Sequence, residues 1–284
     1  MMGMTKKLIY ALIICIVQCG CAFSSETIKL SSTIGPIDAG IIPLLAKAYE
    51  EKTGIQITYE GAGTGATLEK AKSGGFDMVV VHARALEDKF IAEGFGKDRR
   101  DVMYNDFVIL GPEADPANVR SAGSAAEAFV KIAEAKATIV TRGDQSGTHV
   151  KELEVWEAAR IKPNPKTDDW YLEYSLGKTG NGQTTLFANR RKAYTLMDRA
   201  TYLIQKNNIK LVILFEKDPL LLNYIAAIQV NPGKFPNVNA DGAKKFIDWL
   251  CSDEAQVIIK DFQVEKYGEP LFFPNSDEWN KKHK

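Results

Sequence analysis

The sequence has few residues of the kinds that build disulfides, metal centres and acid–base catalytic sites. It contains 3 histidines and 4 cysteines in 284 residues. Three of the cysteines (Cys15, Cys19 and Cys21) lie near the N terminus, which leaves Cys251 as the lone cysteine of the remaining chain. An internal disulfide in the body of the chain is therefore excluded. We expect Cys251 to be a buried small hydrophobic residue, and we expect no metal and no cofactor.

The sequence also lacks net charge and an apolar run long enough to span a membrane. Its 36 Lys and Arg residues balance 36 Asp and Glu residues. The net charge of the protein therefore cannot attract nucleic acid or an acidic membrane as a partner. Any recognition of an anion must be local. The apolar run from Leu8 to Val17 is about half of the roughly 20 residues that a spanning helix requires.

The N-terminal residues have the pattern of a secretory signal. Lys6 and Lys7 precede the short apolar run, so we assign residues 1–25 to a signal peptide and expect an exported protein. Gly20 and Cys21 resemble the cleavage and lipidation point of a bacterial lipoprotein. Two alternatives remain: acylation of Cys21, or simple cleavage between Ala22 and Ser25.

The rest of the chain alternates strand-like and helical segments. With 45% hydrophobic and 25% charged residues, it is typical of a soluble globular protein of about two domains. Apolar strand patterns alternate with amphipathic helices, and the alternation restarts after Pro112, which predicts an α/β fold. We expect one helix from Ala240 to Val257, a packed turn at Phe272-Phe273-Pro274 and a frayed C-terminal end at Asn280–Lys284.

One strand-to-helix turn has the composition of an anion-binding site. The run from Arg142 to His149 reads Arg-Gly-Asp-Gln-Ser-Gly-Thr-His and follows the predicted strand 137–140. A helix beginning near Val150 would direct backbone N–H groups and its positive dipole end at one point. The guanidinium of Arg142 and the hydroxyls of Ser146 and Thr148 add donors for a small dianion.

Two further turns have hydroxyl or glycine residues at the same kind of position. They are Ser31-Ser32-Thr33 after the first strand and Gly63-Thr64-Gly65 after the second. The glycine-rich turn is neither a P-loop, because no Gly-Lys-Ser/Thr closes it, nor a dinucleotide fingerprint, because its glycine spacing is wrong. A hydrolase that uses Ser146 with His149 and Asp144 is an alternative, although no group evidently orients the histidine.

Together these blocks resemble the periplasmic tungstate-binding proteins of tungstate ABC transporters. The similarity extends from Ile28 to Pro274. It rests on Ser31-Ser32-Thr33, Gly63-Thr64-Gly65, Val81-His82-Ala83, 102–108, 142–149, 193–199 and Val230-Asn231-Pro232. The sequence departs from the family at Ile34, where a serine is usual, and at 38–40, where Asp-Ala-Gly replaces Asp-Ser-Gly.

The resemblance implies a two-lobed periplasmic-binding-protein fold of type II, like that of molybdate-binding proteins, with a mixed sheet flanked by helices in each lobe. Residues 26–107 and 225–284 would form lobe 1, and residues 108–224 would form lobe 2. The ligand-binding residues would be Ser31, Ser32, Thr33, Thr64, Gly65, Arg142, Ser146, Gly147 and Thr148.

The implied function is a receptor rather than an enzyme. The protein would be a monomer that captures tungstate, or molybdate, between its lobes and delivers it to an ABC permease driven by its ATPase. Another tetrahedral oxyanion, sulfate or phosphate, is the alternative ligand. Phosphate would favour a carboxylate acceptor such as Asp144 or Asp198 in the site.

Overall fold

The computed structural model describes residues 27–283, so the predicted signal peptide and Cys21 lie outside the described residues. The first part of the chain alternates strands and helices: β1 (Thr27–Thr33), α1 (Ile34–Asp38), α2 (Ile41–Thr53), β2 (Gln56–Ala62), α3 (Thr64–Ala71), β3 (Met78–His82), α4 (Arg84–Ala92) and β4 (Gly96–Pro112).

The same alternation continues to the C-terminal end. The middle of the chain forms α5 (Ala125–Glu134), β5 (Ile139–Thr141), α6 (Gly147–Ala158), β6 (Tyr171–Glu173), α7 (Asn181–Arg191), β7 (Tyr194–Asp198), α8 (Arg199–Gln205) and β8 (Leu211–Phe215). The last part forms β9 (Leu222–Val230), α9 (Ala240–Leu250), α10 (Asp253–Asp261), α11 (Val264–Tyr267), β10 (Phe273–Pro274) and α12 (Asp277–His283). The α/β class predicted from the sequence is confirmed.

The strands fall into two groups that share one long strand. In the first group β2, β1 and β3 are parallel neighbours, and β9 pairs with β3 in the antiparallel sense. In the second group β7, β5 and β6 are parallel neighbours. Strand β4 pairs with β9 up to Asp106 and with β7 from Phe107 onward. We call the first group with its helices the first lobe and the second group with its helices the second lobe.

Each lobe encloses its own hydrophobic core. In the first lobe the apolar face of α2 packs with α9 over the sheet, and Leu30, Ile41 and Phe246 are buried there. In the second lobe Phe129 of α5 and Trp156 of α6 lie with ring centroids 4.4 Å apart in the centre. Burial of side chains of this size is the main stabilising contribution to each lobe.

Three expectations about local structure need correction or receive support. The single helix expected over 240–257 is two helices, because the chain turns at Cys251 and Ser252 before α10 starts. The tail is not frayed to its end, since α12 forms there and the Trp279 ring stacks on that of His283. Cys251 is buried, as expected, and burial raises the pKa of its thiol to about 12.

Within residues 27–283 no helix combines the length and apolarity needed to cross a bilayer.

Glu152 is a buried carboxyl group on the inner face of α6. Its residue is 2% exposed, and its Oε1 accepts hydrogen bonds from Trp156 Nε1 at 3.1 Å and from Tyr171 Oη at 2.8 Å. Burial raises the pKa of Glu152 to about 7, against the effect of these hydrogen bonds, which lower it. Because the folded protein holds this proton more tightly than the unfolded chain, ionisation of Glu152 opposes folding.

We expect Glu152→Gln to stabilise the protein at high pH. The pKa lies near 4.5 in the unfolded chain and near 7 in the folded protein, so the wild type loses stability as pH rises through this interval. Above pH 7 the loss is about 3 kcal/mol, and glutamine, which keeps the Oε1 acceptor, avoids it. Denaturant unfolding at pH 5 and pH 8 measures the effect, with the exposed Glu157→Gln as the control. Equal stability of wild type and Glu152→Gln at pH 8 would contradict this expectation.

Candidate functional site

The carboxyl ends of three parallel strands form one side of the candidate site. Thr33 ends β1 and lies opposite Ala62 of β2, and Thr64 begins α3 two residues later. Parallel neighbours end at the same edge of a sheet, so these two threonines lie side by side. Both are buried, and within residues 27–283 neither Thr33 Oγ1 nor Thr64 Oγ1 has a hydrogen-bond partner. Buried hydroxyls without partners are rare, so these two are candidates for hydrogen bonds to a ligand.

The neighbouring predicted residues are placed differently. Ser31 Oγ donates to the carbonyl of Thr67 at 3.5 Å, and Ser32 Oγ donates to the carbonyl of Thr33 at 3.1 Å. Both serines are fully buried, so their hydroxyls are engaged with the backbone of their own lobe. Gly65 lies in the first turn of α3, where backbone N–H groups lack intrahelical acceptors.

The predicted turn in the second lobe has the expected strand-to-helix geometry, but its helix starts earlier. Ser146 is the N-cap of α6, and its Oγ accepts a hydrogen bond from the backbone N–H of His149 at 3.3 Å. Gly147 and Thr148 are therefore the first two helical residues, and their N–H groups point out of the helix. Gly143, with φ of 63°, allows the turn, and a Cβ there would lie 2.6 Å from Glu173 Cδ.

Arg142 lies at the end of β5 and is fixed by two side chains. Its Nη2 donates to Asp144 Oδ2 at 2.5 Å, and its Nη1 donates to Asn181 Oδ1. Its Nε is buried, and among the described residues it has no hydrogen-bond partner. A guanidinium with two of its three nitrogens held and Nε free is oriented for one further acceptor at Nε.

Asn181 connects the parts of this side of the site. Its Oδ1 also accepts from Thr148 Oγ1 at 3.0 Å, and its Nδ2 donates to Asp198 Oδ2 at 2.5 Å. Asp198 in turn caps α8 by accepting from the backbone N–H of Thr201 at 2.8 Å. Sequence reasoning did not identify Asn181, which is 39 residues from Arg142 and carries no local motif.

The two sides of the site meet across the cleft between the lobes. His82 ends β3, which pairs with β1 at Ser32–Val80 and so ends at the same edge as Thr33. A Cβ placed on Gly147 would overlap His82 Cε1 and lie 2.6 Å from Nε2. The start of α6 therefore packs on the edge that carries Thr33 and Thr64.

The electrostatics of the turn suit the binding of an anion. Burial raises the pKa of Asp144, but hydrogen bonds from Ser146 and the charge of Arg142 outweigh burial and lower this pKa. Burial lowers the pKa of His149, whose Nδ1 accepts from the backbone N–H of Gln145 at 3.0 Å. The His149 ring is thus engaged by Gln145, and the site presents donors and helix N-termini.

Comparison with known proteins places this architecture in a family. Residues 24–254 match the family model described as the PBP superfamily domain. The tungstate-binding protein TupA of Peptoclostridium acidaminophilum is 41% identical over 252 residues, covering 88% of this chain and 86% of the relative.

Two solved structures agree with this placement. A structure described as the tungstate ABC transporter from Geobacter sulfurreducens has a TM-score of 0.75 at 44% identity, over 84% of this chain and 99% of that one. The tungstate-binding protein TupA from Desulfovibrio alaskensis G20 has a TM-score of 0.80 at 37% identity, over 89% of this chain and 100% of that one. The predicted two-lobed fold is confirmed, and the chain belongs to the PBP superfamily and, within it, to the family of the tungstate-binding proteins.

Proposed function

We propose that this protein is an extracytoplasmic receptor that captures tungstate, or molybdate, in the cleft between its lobes. The observation that carries the proposal is the set of three buried donors without partners among the described residues: Thr33 Oγ1, Thr64 Oγ1 and Arg142 Nε. They come from both lobes: Thr33 ends β1, Thr64 begins α3, and Arg142 begins the turn that leads into α6. The family of the chain supports tungstate as the anion.

We infer that the ligand is held by these three side-chain groups together with backbone N–H groups of Gly65, Gly147 and Thr148. Ser146 Oγ accepts from the N–H of His149, which leaves its hydroxyl proton for the anion. Ser31 and Ser32 stay predicted ligand residues whose hydroxyls, in this closed arrangement, donate to backbone carbonyls.

Of the two alternative ligands, phosphate fits this site less well than a fully ionised oxyanion does. Phosphate carries a proton at neutral pH and requires an acceptor, and the two carboxylates predicted as acceptors, Asp144 and Asp198, are engaged. Asp144 accepts from Arg142 and from the N–H of Ser146, and Asp198 accepts from Asn181 and Thr201. A donor-only site favours a fully ionised oxyanion, which tungstate, molybdate and sulfate all are.

The remaining features of the receptor are proposals of the same kind. The chain boundaries of the lobes are 26–107, 108–224 and 225–284, and the protein acts as an exported monomer without catalytic activity. It delivers its ligand to an ABC permease and its ATPase. Cys21, the candidate for lipidation, lies outside the described residues, and mass spectrometry of the mature N terminus distinguishes acylation from simple cleavage.

The ligand is identified by thermal unfolding with tungstate, molybdate, sulfate and phosphate in parallel. A ligand present at 1,000 times its Kd stabilises the folded state by about 4 kcal/mol, which corresponds to a rise in Tm of roughly 8–16 °C. We expect this rise with tungstate, and with molybdate at a comparable concentration, and no rise beyond about 2 °C with sulfate or phosphate. A larger rise with sulfate or phosphate than with tungstate would overturn the proposal.

A hydrolase using Ser146 is tested separately with model esters. Turnover that disappears in Ser146→Ala would favour the hydrolase. Because His149 Nδ1 accepts from the backbone N–H of Gln145, the proton of the neutral ring lies on Nε2, which then cannot take the serine proton. We therefore expect no such turnover.

A further inference from the structure

The lobes touch at a contact that the ligand donors do not explain. His82, the last residue of β3, lies opposite Ile225 of β9, beside the point where the chain returns to the first lobe. A Cβ on Gly147 would overlap His82 Cε1 and lie 2.6 Å from Nε2 and 2.8 Å from Nδ1. The imidazole of one lobe therefore lies directly on the backbone at the helix start of the other.

The backbone beside His82 holds this position under strain. Ala83 follows His82 with φ of 86° and ψ of 81°, a region that residues with a Cβ rarely adopt. Such conformations persist where the surrounding structure fixes them, and they cluster at clamps and switches. The backbone conformation at Ala83 thus fixes the orientation of His82 at the end of β3.

The surroundings of His82 keep its ring neutral. A cavity of about 180 Å³ adjoins the contact, and charged or polar groups line it from each packed element: Arg84 and Glu87 of α4, Arg99 of β4, Lys151 and Glu154 of α6, and Tyr224 of β9. Desolvation and, to a smaller extent, the charge of Lys151 lower the pKa of His82 to about 4. A neutral ring packs on the helix start without bringing an unpaired charge into the cleft.

We propose that His82 is a positioning residue for lobe closure, whose ring seats on the backbone at Gly147 and requires that position to lack a side chain. The inference rests on the proposed function, because closure is the step that brings α6 and its donors onto the ligand. His82 sets how far the second lobe advances, and so sets the distance between the opposed donors.

The first test is Gly147→Ala. Gly147 lies in helix α6, a conformation that alanine adopts readily, so the ligand-free variant should melt at the wild-type temperature. The alanine methyl group would occupy the position of the His82 ring and so hinder closure. We expect calorimetric titration to give a tungstate affinity at least tenfold below that of the wild type. The matched control is Gly123→Ala in the same lobe, where a Cβ would lie 3.3 Å from the mobile end of Glu127.

The second test is rescue by the double variant His82→Ala/Gly147→Ala. Removing the ring makes room for the methyl group, so the double variant should bind tungstate at least threefold more tightly than Gly147→Ala alone. Small-angle scattering should detect ligand-induced compaction in the wild type and the double variant, and none in Gly147→Ala at a tungstate concentration that saturates the wild type.

The two proposals fail in different ways. Wild-type protein that does not bind tungstate would refute the proposed function. Wild-type binding with no rescue in the double variant would mean that the alanine methyl clashes with the ligand itself, and would overturn the closure role of His82. Wild-type affinity in Gly147→Ala would overturn it as well.

Discussion

Replacing Arg142 with alanine is expected to weaken tungstate binding about a hundredfold. The substitution removes the charged donor Nε, and a hydrogen bond to a charged group contributes about 1.5–3 kcal/mol. It also leaves Asp144, which now pairs with Nη2 at 2.5 Å, as an uncompensated carboxylate beside the bound dianion. Both effects act in the same direction, and calorimetric titration measures their sum.

A double variant separates the two effects of losing Arg142. The variant Arg142→Ala/Asp144→Asn lacks the repulsive carboxylate but still lacks the Nε donor. We therefore expect it to bind tungstate about tenfold more tightly than Arg142→Ala does. Arg120→Ala, which removes a half-exposed arginine of the same lobe, should bind like the wild type. Affinity unchanged in Arg142→Ala would contradict the assigned role, provided that its Tm without ligand equals that of the wild type.

Replacing Arg199 with alanine is expected to destabilise the protein by about 3–5 kcal/mol. Arg199 forms a bidentate pair with Asp106, with Nε–Oδ1 at 2.8 Å and Nη2–Oδ2 at 2.6 Å, and its side chain is 8% exposed. It also contacts Glu216 at 2.6 Å and Glu269 at 3.4 Å. Since Asp106 is the last residue of β4 that pairs with β9, the network fixes the strand where it passes between the lobes.

Thermal and denaturant unfolding measure the loss, which corresponds to a fall in Tm of roughly 10 °C. Arg84→Ala removes a surface pair with Asp88 whose side chains are 66% and 54% exposed, and it should cost less than about 1 kcal/mol. In Arg199→Met/Asp106→Leu no unpaired charge is left at Asp106, so part of the stability should return. A stability of Arg199→Ala equal to that of Arg84→Ala would show that the buried network contributes nothing.

The features predictable from the sequence are those set by local pattern. The turn at Arg142–His149 could be placed because a β-like run precedes it and a helix follows. Its exact start could not, because the helix begins at Gly147 only through the capping bond to Ser146 Oγ. Similarly, the expected helix over 240–257 had the right amphipathic pattern, yet the chain breaks at Ser252 so that α9 and α10 can pack on different parts of the sheet.

The features that could not be predicted depend on residues far apart in the chain. Nothing near Asn181 indicates that it holds Arg142 and Thr148, because that role exists only once α7 and α6 start side by side. Ser31 and Ser32 have the residue type of ligand donors, but the close approach of α3 gives Ser31 a carbonyl acceptor within the lobe. His82 is recognisable as a cleft residue only from the contact between the lobes.

The strand order has a consequence for how the ligand leaves. The two crossing strands, β4 and β9, are hydrogen-bonded neighbours, so we expect opening to be a bend about a single axis that runs across both strands where they pass between the lobes. At about 4.8 Å between strands, β3 with His82 lies close to the crossing strands, while β1, which ends at Thr33, and β2, which precedes Thr64, lie about 10 and 14 Å away. Thr64 is therefore farthest from the strands that join the lobes. A small rotation moves the edge of the first lobe at Thr64 away from the second lobe before it moves the edge at His82. The anion should therefore leave on the β2 side of the cleft, while the His82 ring is still in contact with the backbone at Gly147.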